Sequence, residues 1–423
     1  MHVYIMPLLN SGFLHKVSSL AIGTGLAQFI TILASPIISR IYTPEEFGIF
    51  SIYASAIGIM SILVNARYEI AIVQPRKDTD AQLIALLCLF ICSIFSISVF
   101  VVVVFFRKFI IQQSNTLDLG IWFYVMPASL LIVGFQQTLS YLFTRASNFQ
   151  ALGFAAVLQS ITNICLQIGI NIIHPKWVGG LILGNIFGQL ISVIYLLALY
   201  LQKEDQLSGI KLFHIISIAK KYKRIPIYSI PGGILNILAT ELPLFYIMKF
   251  FGAASTGTYG MANKVVNLPF SLMSAAVYKV FFQEVTTIKR NQPKQLLRYV
   301  VRIFLVLLAL TTLPVLAMLF WGKDIFGLIL GNNWQLAGSY ASLLVISLAI
   351  KFAVSPLSAI LALEDNISKG FYWQVLYFLT LSITLACLSG SNILMFLKVL
   401  VIHDVLLYFI QLIFTVNASR YVD

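Results

Sequence analysis

One apolar run of about 20 residues follows another along this chain, each long enough to cross a bilayer as a helix, and the polar breaks between them are short. In hydrocarbon every backbone N–H and C=O must find its partner within protein, so repeated runs of this kind fold as a helical bundle. No length remains for a sizeable soluble domain. Of 423 residues 59% are apolar and only 10% charged, with a mean hydropathy of +0.92, whereas a soluble domain carries about 25% charged residues. The expected fold class is an all-α integral membrane protein.

The sharpest break is Arg40-Ile41-Tyr42-Thr43-Pro44-Glu45-Glu46-Phe47-Gly48. Thr43 suits an N-cap, Pro44 the first helical position, and Glu46 the third, where its carboxylate reaches back to the cap and faces the positive end of the helix dipole. The break recurs loosely downstream: Lys249-Phe250-Phe251 followed by Thr256-Gly257-Thr258-Tyr259 lies on Arg40-Ile41-Tyr42 followed by Phe47-Gly48-Ile49-Phe50, and Gly232 on Gly23. Two related halves follow from this. Six spans are expected at 17–40, 46–68, 81–106, 119–145, 149–173 and 177–201, and six more at 226–249, 256–282, 298–320, 336–363, 369–389 and 392–416. Twelve helices thus form two six-helix lobes, 1–201 and 226–423, related by a parallel pseudo-repeat and joined by a basic linker, 202–225.

Lys and Arg set the orientation. With both termini cytoplasmic, the outer connections hold only Arg40, Arg107, Lys108, Lys176, Lys249 and Lys323, and the cytoplasmic ones hold most of the rest. The net charge of +13 is therefore a topogenic excess near anionic lipid, and nucleic acid is not an expected partner. In the linker, Ile210, Phe213, Ile216, Ile218 and Tyr222 form the apolar side of a short interfacial helix. Cys88, Cys92, Cys165 and Cys387 all lie inside apolar runs and read as packing residues rather than a disulfide framework.

Charge at membrane depth is costly, about 2.5 to 3.5 kcal/mol at a helix centre on insertion scales, so such groups face a partner or a wet path. Lys264, Lys351 and Lys398 are the cations at depth, and Glu241 and Asp404, with His403 beside it, the acids. Lys264 and Lys351 can present positive charge to an anionic cargo, while Lys398 lies nearer a helix end and can snorkel. Glu241 and Asp404 can take up a proton, because burial favours the neutral carboxyl, or can neutralise Lys264, Lys398 or His403. Pro231-Gly232-Gly233 and Pro243 predict an irregular seventh span, with Pro36 a milder counterpart in the first. There is no G-x-x-x-x-G-K-[ST] loop, no H-E-x-x-H pair and no G-x-S-x-G elbow, so neither an enzyme nor a cofactor or metal site is expected.

Three stretches resemble the Wzx-type polysaccharide flippases of the multidrug/oligosaccharidyl-lipid/polysaccharide exporter superfamily. The first runs from Gly23-Thr24-Gly25 to Ser39-Arg40-Ile41-Tyr42-Thr43-Pro44-Glu45-Glu46-Phe47-Gly48, and the second is Asn65-Ala66-Arg67-Tyr68-Glu69 with Pro75, Asp78 and Asp80. The third runs from Tyr222 and Pro226 through Leu242-Pro243, Gly257-Thr258-Tyr259 and Leu268-Pro269-Phe270-Ser271-Leu272 to Val280-Phe281-Phe282.

The resemblance implies two lobes around a central cavity that opens alternately to each side of a bacterial inner membrane. It implies a polyprenyl-pyrophosphate-linked oligosaccharide as cargo, turned to the outer leaflet for O-antigen or capsule assembly, with membrane lipid, a polysaccharide polymerase and chain-length machinery as partners. Lys264 stands where the family often has a basic residue, and Arg67 matches its Arg-Tyr-Glu. Glu241 and Lys279 depart from the neutral amides expected at their positions. Two other functions are weighed: an ion-coupled exporter of small organic cations, in which Glu241 and Asp404 matter more than the lysines, and a membrane-embedded polymerase or ligase, which requires a catalytic outer loop that the short connections do not supply.

Overall fold

A computed structural model describes residues 11–114, 120–202, 213–291, 293–362, 367–388 and 390–419. Most of the linker read at 202–225, Ile210 included, lies outside these residues, as does the side chain of Lys279. All regular structure among the described residues is helical: α1 (Ser11–Ile41), α2 (Pro44–Ser61), α3 (Asp78–Ser114), α4 (Met126–Arg145), α5 (Phe149–Ile173), α6 (Gly179–Leu201), α7 (Phe213–Lys221), α8 (Arg224–Asn291), α9 (Leu296–Leu330), α10 (Gln335–Val354), α11 (Ile367–Cys387) and α12 (Ile393–Ser419), with short 3-10 turns between some of them. Ten are long and apolar enough to cross a membrane. That number differs from the twelve expected because α2, which opens on Glu45 and Glu46, is not among the ten, and α8 counts once although its backbone is broken.

The chain forms two compact units, one of residues 1–42 and 52–234, the other of 43–51 and 235–423. In the first, α5 packs against α1 and α6, and α3 against α4. Tyr42, 1% exposed, donates from its hydroxyl to the Gln167 carbonyl at 2.7 Å and so pins the end of α1 to α5. Arg145 closes the end of α4: its Nε and Nη2 donate to Asp78 Oδ1 at 3.0 and 2.8 Å, and its Nη1 to the carbonyls of Ile72 and Pro75 at 3.2 and 2.7 Å. Hydrogen bonds to a charged group contribute about 1.5–3 kcal/mol in sum with packing. Arg145→Ala is therefore expected to destabilise the protein by about 2 kcal/mol, whereas Asp78→Ala, whose carboxylate is 85% exposed, costs less than about 1 kcal/mol. Thermal unfolding of the two purified variants checks the order.

The second span, read as 46–68, ends as an α-helix at Ser61 and is followed by a 3-10 turn, Tyr68–Val73. The seventh span keeps helical φ/ψ through Pro231-Gly232-Gly233 and Pro243, where an irregular backbone is expected, while the break between the spans read as 226–249 and 256–282 falls between them as expected, at Gly252, whose φ of 80° is open to glycine at no steric cost. The linker helix forms as α7: Ile218 of its apolar side is buried in one cluster with Ile84, Leu87 and Ala71 while Ile216 is exposed, Tyr68 donates to the Ala219 carbonyl at 3.1 Å, and Lys221 pairs with Asp80 at 3.1 Å. That pair raises the Lys221 pKa through the Asp80 hydrogen bond and charge.

In the second unit the start of α2 forms the expected capping box. The Thr43 backbone N–H donates to Glu46 Oε2 at 2.7 Å, and the Glu46 N–H reaches Thr43 Oγ1 at 3.4 Å. The first turns of α2 meet residues 253–260 of α8, and Phe47 stands edge-on to the buried Trp334 at 5.1 Å. Elsewhere α10 packs between α9 and α12, with Ser342 donating to the Met318 carbonyl at 2.6 Å. The tenth span, read as 336–363, leaves α-geometry after Val354 and continues as a 3-10 segment, Ser355–Ala362.

Candidate functional site

Lys351 lies in the last turn of α10, where a cation is favoured by the negative end of the helix dipole. It lies close to Tyr408 and Asp404 of α12, with Asp404 one turn earlier on that helix. Asp404 is the hub of this cluster. Its Oδ1 accepts from the Tyr377 hydroxyl at 2.7 Å and lies 3.2 Å from His403 Nδ1, whose Nε2 is 3.0 Å from Thr380 Oγ1. Tyr259 of α8 faces both Asp404 and Glu241. Trp373, Tyr377 and Tyr408 close around the carboxylate with ring centroids 5.4 to 6.1 Å apart, and the Trp373 indole donates to the Leu407 carbonyl at 3.2 Å.

Two of the residues marked in the sequence, Lys351 and Asp404, thus belong to one aromatic-walled cluster drawn from α10, α11 and α12. Chemically it is a partly buried carboxylate held by a hydroxyl, an imidazole and a nearby ammonium. Thr380, His403, Asp404 and Tyr377 form a continuous hydrogen-bonded row along which a proton can be held or passed. Tyr377, Tyr408, Trp373 and Thr380 were not marked beforehand. Their signal was spacing: Trp373 and Tyr377, and Asp404 and Tyr408, are each four apart and share a helix face.

Lys264 stands apart. It is exposed and makes no ion pair or hydrogen bond among the described residues. Lys398 is exposed near the start of α12 and is not part of the cluster.

In the first unit Arg67 sits in a strained turn. Ala66 and Arg67 have φ of 47° and 62°, a left-handed pair that non-glycine residues adopt only when surrounding contacts enforce it. Those contacts come from Asn65, fully buried, whose amide donates to the Gly134 carbonyl at 3.0 Å. The guanidinium lies 3.9 Å from the buried Glu69 and against Gly233, where a Cβ would approach Arg67 Nη2 to 2.7 Å. Burial raises the Glu69 pKa, with its own backbone hydrogen bond and then the Arg67 charge opposing.

Helices of this order and length define a multi-pass membrane protein with the fold of the MOP-superfamily transporters. The chain aligns over 94% of its length with 94% of a multidrug resistance MATE family transporter of that superfamily in an inward-facing conformation (TM-score 0.74, 15% identity). It aligns over 95% of its length with 86% of the lipid II flippase MurJ in an inward closed conformation (TM-score 0.69, 12% identity). By sequence the chain belongs to the family described as polysaccharide biosynthesis protein, which residues 37–338 match. It is also similar to an uncharacterized membrane protein in the cps region of Klebsiella pneumoniae, 22% identical over 361 residues that make up 82% of this chain and 72% of that protein.

Proposed function

We propose that the protein flips polyprenyl-pyrophosphate-linked oligosaccharide units from the cytoplasmic to the outer leaflet of a bacterial inner membrane, by alternating access. The reading counts twelve spans, with α2 and the two arms of α8 as separate crossings, and takes 1–201 and 226–423 as its moving lobes. The observation that carries it is Lys264, a cation within a span that stays accessible and has no ion-pair or hydrogen-bond partner among the described residues. A diphosphate supplies the charge that such a group lacks. Membership of a polysaccharide biosynthesis family, a relative from a cps region and a fold shared with a lipid II flippase support the same cargo class. Lys351, Arg67 and Lys398 are further cations for the saccharide phosphate, and Glu241 and Asp404 are assigned to ion coupling.

The aromatic walls around Asp404 also suit an organic cation, which stacks on Tyr and Trp faces, and the shared fold with a multidrug transporter gives that second reading its footing. Lys351 argues against it, because its ammonium already stands beside the carboxylate that such a cargo needs.

Deleting the gene in its host and measuring lipid-linked oligosaccharide in each leaflet tests the proposal. Repeat units accumulate on the cytoplasmic face and surface polymer is lost; single units that reach the outer face and stop there contradict it. In the same assay Asp404→Asn, which keeps the shape and an acceptor for Tyr377 but removes the charge, is expected to lower surface polymer at least about tenfold at unchanged protein level, the size of one lost charged interaction of about 1.4 kcal/mol or more.

A further inference from the structure

A groove of about 700 Å³ runs along the start of α9, lined by Lys294, Arg298 and Arg302 together with Val301, Leu305 and Ala309. Arg298 and Arg302 are four residues apart and share one face of α9, about 6 Å apart along the axis, and Lys294 lines the same groove from the 3-10 turn Pro293–Gln295 just before the helix. All three are exposed, and none makes an ion pair or hydrogen bond among the described residues. The surrounding sequence adds Lys289 and Arg290 and contains no Asp or Glu between Glu284 and Asp324. The N-terminus of α9 has no side-chain cap, which leaves the positive end of a 35-residue helix beside Lys294 and Arg298. From Arg302 onward the same face is purely apolar, with Leu305 and Val306 each 56% exposed, and it continues into the candidate span 296–330.

A topogenic excess alone needs positive charge in the connection; it does not need three cations gathered in one groove and prolonged by an apolar track. We propose that this groove is a binding site for an anionic phospholipid of the surrounding leaflet, with its phosphate on Lys294, Arg298 and the uncapped helix start, and with Arg302 facing the phosphate or a second one. One acyl chain lies along Val301, Leu305 and Ala309. Charge complementarity chooses this occupant: a zwitterionic lipid brings an ammonium that three unpaired cations repel, and an apolar protein helix leaves all three unanswered. The site is independent of the cargo assigned above.

The test is lipid retention by the full chain, purified in detergent and followed by native mass spectrometry and thermal unfolding, with phosphatidylglycerol, diphosphatidylglycerol and phosphatidylethanolamine as separate probes. The two anionic lipids are expected to bind and to raise the melting temperature, diphosphatidylglycerol the more, while phosphatidylethanolamine does neither. Lys294→Gln/Arg298→Gln/Arg302→Gln is expected to weaken binding at least about tenfold, since each cation near a lipid surface adds to the attraction for anionic headgroups. The charge-preserving Arg298→Lys/Arg302→Lys retains most of the binding and serves if the triple variant does not fold. Lys223→Gln/Arg224→Gln, which removes two cations elsewhere, leaves binding unchanged. Equal retention of phosphatidylethanolamine, equal loss in the Lys223/Arg224 variant, unaltered binding in the triple variant, or displacement of the phospholipid by polyprenyl pyrophosphate would each overturn the assignment.

Discussion

Lys264→Ala is expected to abolish surface polysaccharide while the protein accumulates to at least its normal level. The two halves of that expectation have one cause. Among the described residues Lys264 has no ion-pair or hydrogen-bond partner, so removing it breaks no such contact there. A cation at a helix centre costs about 2.5 to 3.5 kcal/mol on insertion scales, so its loss relieves folding rather than burdening it. The charge is then retained for a ligand. Lys264→Arg keeps the charge and a bidentate fork for a diphosphate, and it is expected to keep a measurable fraction of the polymer. Lys351→Ala is a different experiment, because it strands Asp404 and Tyr408 and lowers protein level together with transport. Immunoblotting of the membrane fraction beside a polysaccharide gel separates the cases.

Gly257→Val is expected to be the most damaging single change to folding in the second unit. A Cβ at Gly257 would run into the Pro44 carbonyl, and one at Gly48 into the Ala253 carbonyl. Both obstacles are backbone, which cannot swing aside as a side chain can. Overpacking typically costs about 1–3 kcal/mol where side chains yield; here the helices must separate, and a loss of about 3 kcal/mol or more follows. The crossing also carries the Thr43–Glu46 capping box and the Phe47–Trp334 contact, which separate with it. Gly25→Val, at a position where a Cβ meets nothing within 4 Å, is the control and is expected to leave the unfolding temperature unchanged.

The same two glycines show how far the sequence could be read. The loose repeat that aligned Gly48 with Gly257 marked two residues that sit at one close helix crossing, each against the other helix's backbone. The capping box at Thr43 and Glu46 was legible because its partners are three residues apart. The end of α2 was not, since 61–65 reads as continuous apolar helix. What turns the chain there is the Asn65 amide reaching Gly134 on another helix, a bond between distant parts of the sequence. The break in α8 was legible, since the spans read as 226–249 and 256–282 leave Gly252 between them, but the irregularity expected at Pro231-Gly232-Gly233 and Pro243 does not appear in the backbone angles. A proline within a helix removes one hydrogen bond yet can keep helical φ/ψ, whereas the positive φ at Gly252 ends the helix outright.

Apolar pattern likewise could not distinguish lipid from protein as the partner of α7, which buries Ile218 on α3. At the candidate site the ionisable members were visible as charges in apolar runs. Their company was not. Tyr377 and Thr380 reach Asp404 and His403 only through the packing of α11 on α12. Nothing in the local sequence of either helix states that contact.

The central claim is translocation of a pyrophosphate-linked saccharide, and the most direct measurement is flipping by the purified protein in sealed proteoliposomes loaded with a fluorescent polyprenyl-pyrophosphate oligosaccharide. Arrival of the sugar at the opposite leaflet is read by its accessibility to a membrane-impermeant reagent. Wild-type protein is expected to make the protected fraction accessible well above the rate in protein-free vesicles, and Lys264→Ala to fall back to that background. A wild-type rate equal to the background, or equal transport of the same saccharide on a polyprenyl carrier without phosphate, would contradict the account.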